Sequence, residues 1–179
     1  MRLVAISGSL RSASLNTSVL QAARRLAPGG VEIELFEGIG QLPFFNSDLE
    51  AGLLPDAVAA FRGIIATADG ILISSPEYAR GVSGVMKNAL DWLVGCEQFP
   101  GKPVALINTS PRATHALAAL ALTLQTMSAH LVAEASITLP LLGAVHDADS
   151  IAADPELAGA IRDSLKRFVN AITAVANGE

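Results

Sequence analysis

A short loop near the start of the chain concentrates polar side chains where a helix is expected to begin. Residues 3–6 are apolar throughout and predict a buried strand, and apolar residues recur at helical spacing over residues 17–27. The loop between them, residues 7–17, carries hydroxyl, guanidinium and amide groups on Ser9, Arg11, Ser14 and Asn16. The first turn of a helix leaves backbone N–H groups without acceptors and carries the positive end of the helix dipole. The loop therefore predicts a binding site for an anionic group such as a phosphate.

Two plainer interpretations compete with a phosphate site. Asn16 taken alone indicates an N-terminal cap of the helix, and Arg11 taken alone indicates a loop charge surrounded by water. A cap needs one acceptor, whereas this loop supplies a positive charge and several hydrogen-bond donors. The cluster as a whole therefore favours a phosphate ligand.

Missing glycine motifs narrow the kind of phosphate ligand. The chain has no Gly-x-x-x-x-Gly-Lys-Ser/Thr sequence, which argues against a P-loop, and Lys102 precedes its strand at the wrong end of the predicted sheet. No Gly-x-Gly-x-x-Gly follows the first strand, which argues against a tightly held dinucleotide. A nucleotide with a single phosphate fits better.

Strand-like and helix-like segments alternate along the chain, and this alternation predicts an α/β fold with parallel strands. We predict five strands, at residues 3–6, 31–36, 70–74, 104–108 and 131–138. We predict helices at residues 17–27, 55–67, 83–95 and 114–129, and a last helix after the Asp-Pro-Glu sequence at residues 154–156. A chain of 179 residues suits one core, so residues 1–179 are expected to form a single domain.

Charged and polar residues in two strands predict the order of the sheet. The second strand contains Glu32 and Glu34, and the fifth contains Glu134 and Ser136, so both suit edge positions. The order 2-1-3-4-5 places these strands at the edges and gives a flavodoxin-like three-layer sandwich with helices on both faces. A ligand in such a sheet lies beyond the carboxyl ends of the first and third strands. The loops after these two strands should therefore face each other across one site.

The loop after the third strand, residues 75–92, has residue types that suit a planar ligand. Pro76 stiffens the turn and Tyr78 offers a flat face. Gly81 and Gly84 allow the backbone to approach a ring closely. The second loop therefore predicts a flat aromatic ligand.

The two loops together carry a recognisable pair of motifs. The first reads Gly-Ser-Leu-Arg-x-x-Ser-x-Asn, and the second, about 70 residues later, reads Pro-Glu-Tyr followed by Lys-Asn-Ala-Leu-Asp-Trp. Both lie at the ends of predicted strands, which is the context that such motifs require. Here the sequence resembles the NADPH-dependent FMN reductase family, and the resemblance extends from Leu3 to the last helix.

The resemblance implies a flavodoxin-like fold that binds FMN tightly. It assigns the FMN phosphate to Ser9, Arg11, Ser14 and Asn16, with backbone N–H groups near Leu15 and Asn16. It assigns the isoalloxazine ring to Pro76, Glu77, Tyr78 and Ala79, and Ser110 lines the ring from the loop after the fourth strand. Members commonly have Asn in place of Ala79, and many have a Gly-rich turn at residues 108–113, so the contacts of Arg112 stay open.

The resemblance also implies an activity, in which hydride passes from NADPH or NADH through bound FMN to a small-molecule acceptor. Free flavins, quinones, azo dyes and chromate are all acceptors within the family. No catalytic acid or base is assigned, because the chemistry belongs mainly to the cofactor. Arg80 and Arg112 are candidates for recognising NADPH, and its preference over NADH stays open. A flavodoxin-type electron carrier and a nucleotide-binding protein without flavin redox activity are the alternatives.

Composition limits the partners of the chain. Its net charge is −5 and its 12 basic residues are scattered, so neither nucleic acid nor an anionic membrane is an expected partner. Cys96 is the single cysteine and rules out an internal disulfide, which indicates a reducing compartment. The sequence shows no secretory leader and no apolar segment of membrane-spanning length. We therefore expect a cytoplasmic protein.

Two further segments lead to expectations about assembly and metals. Residues 116–122 are apolar almost all the way round a helix, which indicates either a subunit interface or a deeply buried helix. The resemblance favours an interface and a homodimer or homotetramer. No metal site is expected, because His146, Asp147, Asp149 and Asp154 suit a polar loop before a capped helix. We expect His115 and His130 to be structural and Cys96 to be a packing residue.

Overall fold

Six parallel strands form the central sheet in a computed structural model that describes residues 1–141 and 147–177. In chain order, the strands of the protein are β1 (Arg2–Ser7), β2 (Glu32–Phe36), β3 (Gly70–Ser74), β4 (Glu77–Tyr78), β5 (Gly81–Val82), β6 (Pro103–Asn108), β7 (His130–Leu131) and β8 (Ile137–Thr138). The sheet runs β2-β1-β3-β6, and β7 and β8 both pair with β6 at the far edge. β4 and β5 form a separate antiparallel hairpin. The predicted order of the sheet is thus confirmed.

Helices cover both faces of this sheet. They are α1 (Leu15–Arg25), α2 (Ser47–Ala51), α3 (Asp56–Thr67), α4 (Gly84–Leu93), α5 (Thr114–Thr126), α6 (Ala148–Ala153) and α7 (Pro155–Asn177), with short 3-10 helices at Gly38–Gln41 and Ala133–Ala135. Val4 and Ile6 pack into a core covered by α3, α4 and α5, whereas Leu3 and Ala5 pack into a second core beneath α1, α6 and α7. This alternation follows from the two-residue period of a strand. The three-layer sandwich is therefore confirmed.

The fifth predicted strand, residues 131–138, is not continuous. β7 pairs with Pro103 and Val104, β8 pairs with Ile107 and Asn108, and the 3-10 helix Ala133–Ala135 lies between β7 and β8. The N–H of Leu106 donates instead to the hydroxyl of Ser136 at 3.0 Å. A side chain thus replaces the missing backbone acceptor, because a buried strand must satisfy every N–H group.

Several short elements lie outside the predicted set. The segment that contains α2 is attached to α4: the side chain of Asn88 accepts a hydrogen bond from Phe45 N at 2.8 Å, and Trp92 Nε1 donates to Pro43 O at 2.7 Å. α6 precedes the predicted last helix, and Asp154 caps that helix by accepting from Leu157 N at 2.9 Å. No helix in the described ranges is long and apolar enough to cross a membrane.

Candidate functional site

The side chain of Asn16 connects three elements at the carboxyl edge of the sheet. Its Oδ1 accepts from Ser74 Oγ, at the end of β3, at 2.9 Å and from Thr109 Oγ1, just after β6, at 3.3 Å. Asn16 itself lies in the first turn of α1 and is buried. Its Nδ2 group has no acceptor within residues 1–141 and 147–177, while Asn16 lines two adjoining clefts. The amide therefore organises the site and keeps a donor for a ligand.

The start of α1 leaves backbone donors open to the larger cleft. Ser14 caps the helix, because its Oγ accepts from Thr17 N at 3.3 Å. The N–H groups of Leu15 and Asn16 have no acceptor in the described part of the chain. The larger cleft has a volume of about 630 Å³ and is lined by Ser9, Arg11, Ser12, Ala13, Ser14, Leu15, Asn16, Ser18, Gln21, Pro76, Tyr78, Thr109 and Asp147. Hydroxyl and N–H donors at a helix N-terminus suit a phosphate.

One positive and one negative side chain line this larger cleft. Arg11 is exposed, and the ion pairs among the described residues do not include it. Asp147 caps α6 by accepting from Ser150 N at 2.8 Å. Hydrogen bonds from the backbone and side chain of Ser150 hold the pKa of Asp147 below its usual 3.8, so the carboxylate is ionised at neutral pH. Water screens its charge because Asp147 is exposed.

Gly8 lies at the base of the loop formed by residues 7–17, between β3 and the start of α4. Its N–H donates to Ser74 O at 2.8 Å, and its carbonyl accepts from Ser83 Oγ at 2.7 Å. A Cβ at this position would lie 2.8 Å from Ser75 Cβ and 2.9 Å from Ser83 Oγ. Only glycine therefore allows the loop to approach the start of α4 this closely.

The β4–β5 hairpin forms a wall beside both clefts. Its two-residue turn consists of Ala79 and Arg80, whose φ angles are +50° and +61°. Tyr78 precedes the turn and is 54% exposed beside the larger cleft. On the other side, the half-buried Glu77 accepts a hydrogen bond from Ala116 N at 2.9 Å through its Oε2. The hairpin is thus attached to the first turn of α5.

The smaller cleft continues from the larger one past Asn16, Pro76 and Thr109. It has a volume of about 320 Å³ and is lined by Asn16, Ser75, Pro76, Glu77, Asn108, Thr109, Ser110, Arg112 and Ala113. The Asn108 side chain shapes its far side, donating to Ser110 O at 2.7 Å and accepting from Ser110 N at 3.3 Å. The two clefts together suit an elongated ligand with an anionic end and a flat end.

The structure brings nearly all of the predicted site residues together. Seven line the larger cleft: Ser9, Arg11, Ser14, Leu15, Asn16, Pro76 and Tyr78. Glu77 and Ser110 line the smaller one. Ala79 lines neither cleft, because it occupies the exposed turn of the hairpin. Contact of FMN with these residues stays a prediction.

Sequence reasoning missed some residues that line the clefts. Thr109 lines both clefts, and its place directly after the fourth predicted strand was the available signal. Asp147 lies far along the chain from the two motifs, and only the fold brings it to the larger cleft. Long-range contacts of this kind have no local sequence pattern.

Other eye-catching residues lie away from these clefts or outside the described residues. Lys102 Nζ donates to Ala68 O at 2.7 Å near the amino edge of the sheet, and burial lowers its pKa. Cys96 is buried among apolar side chains. His146 lies outside the described residues, within which no group of three or more His, Cys, Asp or Glu residues could hold a metal.

Comparison with known proteins assigns the chain to a family. A family model described as "NADPH-dependent FMN reductase" matches residues 1–140. The chain belongs to this family. An NAD(P)H-dependent FMN reductase of Pseudomonas aeruginosa is 43% identical over 112 residues, which are 62% of this chain and 60% of that protein. An NADPH:quinone oxidoreductase of Arabidopsis thaliana is 45% identical over 114 residues, which are 61% of this chain and 58% of that protein.

A solved structure agrees over a longer range. The flavoenzyme NAD(P)H:(acceptor) oxidoreductase FerB of Paracoccus denitrificans has a TM-score of 0.78 and 32% sequence identity, covering 96% of this chain and 97% of that one. The chain spans about three fifths of the length of the two sequence relatives. Family membership supports FMN as the cofactor and NAD(P)H as the electron donor. The N–H groups of Leu15 and Asn16, for which the described residues supply no acceptor, line the same cleft as Arg11 and fit the FMN phosphate.

Proposed function

We propose that this FMN reductase family member is an NAD(P)H-dependent oxidoreductase that binds FMN across the two clefts and reduces a small-molecule acceptor. The observation that carries the proposal is a group of donors in and just before the first turn of α1 for which the described residues supply no acceptor. These are the N–H groups of Leu15 and Asn16 and the guanidinium of Arg11, all at one cleft of about 630 Å³. A phosphate dianion supplies the acceptors that they lack.

Different residues of the two clefts contact different parts of FMN in this proposal. Arg11, Ser9 and Ser14 bind the phosphate, and the hairpin with Pro76 and Tyr78 flanks the ring. Ser110 limits the ring on the opposite side, in the smaller cleft. When bound, FMN supplies the hydride-accepting chemistry, so the chain needs to orient the reactants and exclude water. We propose no catalytic acid or base.

The electron donor and the acceptor share one open site in this proposal. Because both must reach the same flavin ring to exchange a hydride or electrons with it, we expect them to bind in turn and to give ping-pong kinetics. Similar proteins include an NADPH:quinone oxidoreductase, which makes a quinone the first acceptor to test. Arg112, at the smaller cleft, is the candidate for distinguishing NADPH from NADH.

We also propose that the enzyme is a cytoplasmic homodimer or homotetramer. Leu122 of α5 is 65% exposed and Leu117 and Ala121 are only partly buried, which supports a subunit interface on α5. The buried thiol of Cys96 is compatible with a reducing compartment. Native mass spectrometry tests the assembly: a monomer at micromolar concentration would contradict it, and Leu122→Glu is expected to dissociate an assembly that uses α5.

The redox proposal is tested by the colour of the purified protein. We expect a yellow protein, or one that turns yellow with added FMN, which NADPH or NADH bleaches under anaerobic conditions and 1,4-benzoquinone restores. Double-reciprocal plots of initial rate against NADPH or NADH concentration, at several fixed quinone concentrations, should give parallel lines.

Each other outcome has a distinct meaning. A protein that cannot be reconstituted with FMN contradicts the proposal and favours a nucleotide-binding protein without flavin. A yellow protein that is bleached only when a separate reductase is added favours an electron carrier. Intersecting lines would contradict the shared site and leave FMN binding intact.

A further inference from the structure

The β4–β5 hairpin is too small to hold its own shape. Each strand has two residues, and two pairs, Glu77 with Val82 and Tyr78 with Gly81, form the whole ladder. An isolated two-stranded hairpin is marginal in water even when it is longer. The turn adds a cost, because Ala79 and Arg80 both adopt left-handed conformations that glycine or asparagine adopts more easily. Contacts outside the hairpin must therefore hold it in place.

The N-terminus of α5 lacks a capping side chain from its own segment. Ala113 precedes the helix and has no side chain that can cap it, and the first turn contains no acidic residue. Glu77 fills this gap from 39 positions away, because its Oε2 accepts from Ala116 N at 2.9 Å. A carboxylate at this end of a helix gains both a charge-assisted hydrogen bond and a favourable interaction with the dipole. A single carboxylate thus caps α5 and attaches the hairpin to it.

The location of this contact relates it to the ligand site. Glu77 and Ala113 both line the smaller cleft, and the neighbours of Glu77 in the chain, Pro76 and Tyr78, line the larger one. A shift of the hairpin would move the wall that both clefts share. The carboxylate itself is engaged by α5, so it acts on a ligand through the hairpin.

We propose that Glu77 is a positioning residue, whose carboxylate holds the β4–β5 hairpin against α5 and so sets the shape of the ring-binding cleft. The part that concerns the flavin rests on the proposed function, whereas the attachment of the hairpin does not. Glu77 neither donates nor accepts a proton in the reaction. Its effect is on the affinity for the flavin ring.

The first experiment measures the attachment without any flavin. Amide hydrogen exchange of the flavin-free protein should be about tenfold faster at Ala116 and in the hairpin in Glu77→Ala, as expected for the loss of one charge-assisted hydrogen bond. Glu77→Gln keeps an acceptor oxygen and should restore most of the protection. Glu97→Ala removes an exposed carboxylate near the end of α4 and serves as the matched control, with exchange as in the unmodified chain.

The second experiment connects the attachment to the ligand. Glu77→Ala should raise the Kd for FMN about five- to tenfold and weaken the visible circular dichroism of the bound flavin, while Glu77→Gln stays near the unmodified value. Ala79→Gly removes the side chain from a strained turn and should recover part of the loss in the double variant Glu77→Ala/Ala79→Gly. Recovery of this kind is expected of a positioning role and not of direct contact.

Two results would overturn the proposal. The first is unchanged exchange at Ala116 and in the hairpin of Glu77→Ala. The second is loss of FMN affinity in Glu77→Gln as large as in Glu77→Ala, with protected hairpin amides, because the negative charge would then act on the ligand directly. If Glu77→Ala fails to fold, Glu77→Gln and Ala79→Gly still give the exchange comparison. Absence of FMN binding in the unmodified chain would contradict the proposed function, and the exchange data would still decide the attachment.

Discussion

The helices α1 and α5 begin at the same edge of the sheet, but their N-termini are satisfied in different ways. At α1 the N–H groups of Leu15 and Asn16 have no acceptor among the described residues and open onto the larger cleft. The third N–H of α1, that of Thr17, donates to the hydroxyl of Ser14. At α5 the first two N–H groups likewise have no acceptor within residues 1–141 and 147–177, but the third, that of Ala116, donates to the carboxylate of Glu77. Both helices present the same positive end of a dipole. The cap of α1 is therefore a neutral hydroxyl, whereas the cap of α5 is a carboxylate from its own chain.

This difference shows that the N-terminus of a helix can either fix the shape of a site or bind a ligand. An acceptor in the chain makes a helix start rigid, because it is present whether or not a ligand is bound. A missing acceptor makes a helix start a binding site, because a ligand that brings one is stabilised. Predictions about Asn16, Arg11 and Asp147 examine the open N-terminus, and the tests on Glu77 examine the closed one.

The largest effect is expected for Asn16→Ala, because this residue serves both the fold and the ligand. Ser74 and Thr109 lose their shared acceptor, so the free energy of unfolding should fall by roughly 1 to 3 kcal/mol, as measured by urea denaturation. The affinity for FMN should fall as well. Asn16→Asp keeps the acceptor oxygen, so it should retain more stability than Asn16→Ala and still bind FMN poorly. Asn170→Ala, an exposed amide on α7, is the control. An unchanged unfolding midpoint would contradict the structural role.

Arg11→Ala should weaken FMN binding and leave the fold intact. Arg11 is exposed and the ion pairs within the described ranges do not involve it, so its removal breaks no internal contact that we observe. Loss of a charge-assisted bond to the phosphate should cost about 1.5 to 3 kcal/mol of binding free energy, measured by fluorescence titration with FMN. Riboflavin has no phosphate and should bind both proteins equally. Arg24→Ala, which removes another exposed arginine, this one within α1, should bind FMN normally. If Arg11→Ala bound FMN as tightly as the unmodified chain, Arg11 would not bind the phosphate, and Ser14 would only cap α1.

The sequence predicts the central strands and the start of α1 better than it predicts contacts between distant segments. β1, β3 and β6 are apolar on both faces, so their local composition alone identifies them as central strands. The interruption between β7 and β8 depends on a bond from Leu106 to Ser136, thirty residues apart, which no local pattern contains. The open N-terminus of α1 can be predicted because its donors are consecutive in sequence. The closed N-terminus of α5 cannot, because its acceptor lies on another loop.

A small increase in affinity is expected for Asp147→Asn. Asp147 brings a negative charge to the cleft that Arg11 lines, and a phosphate dianion there would be repelled. Asparagine is also a good N-cap, so α6 should persist. We expect the Kd for FMN to fall about twofold at low salt and the gain to disappear at high salt, because the site is exposed and screened. Asp163→Asn, an exposed carboxylate of α7, should have no effect. Weaker FMN binding in Asp147→Asn would mean that the carboxylate accepts hydrogen bonds from the ligand.

The smallest effect concerns the pH dependence of α6, a third helix whose N-terminus has an anion of its own. Hydrogen bonds from Ser150 hold the pKa of Asp147 below 3.8 in the folded protein, so its cap contributes stability above that pH and loses it as the pH falls through the lowered value. The amide resonance of Ser150, followed by NMR, should therefore shift with a midpoint below pH 3.8. Asp147→Asn should keep the cap and abolish the shift. A midpoint above 3.8 would mean that the cap is not formed in solution.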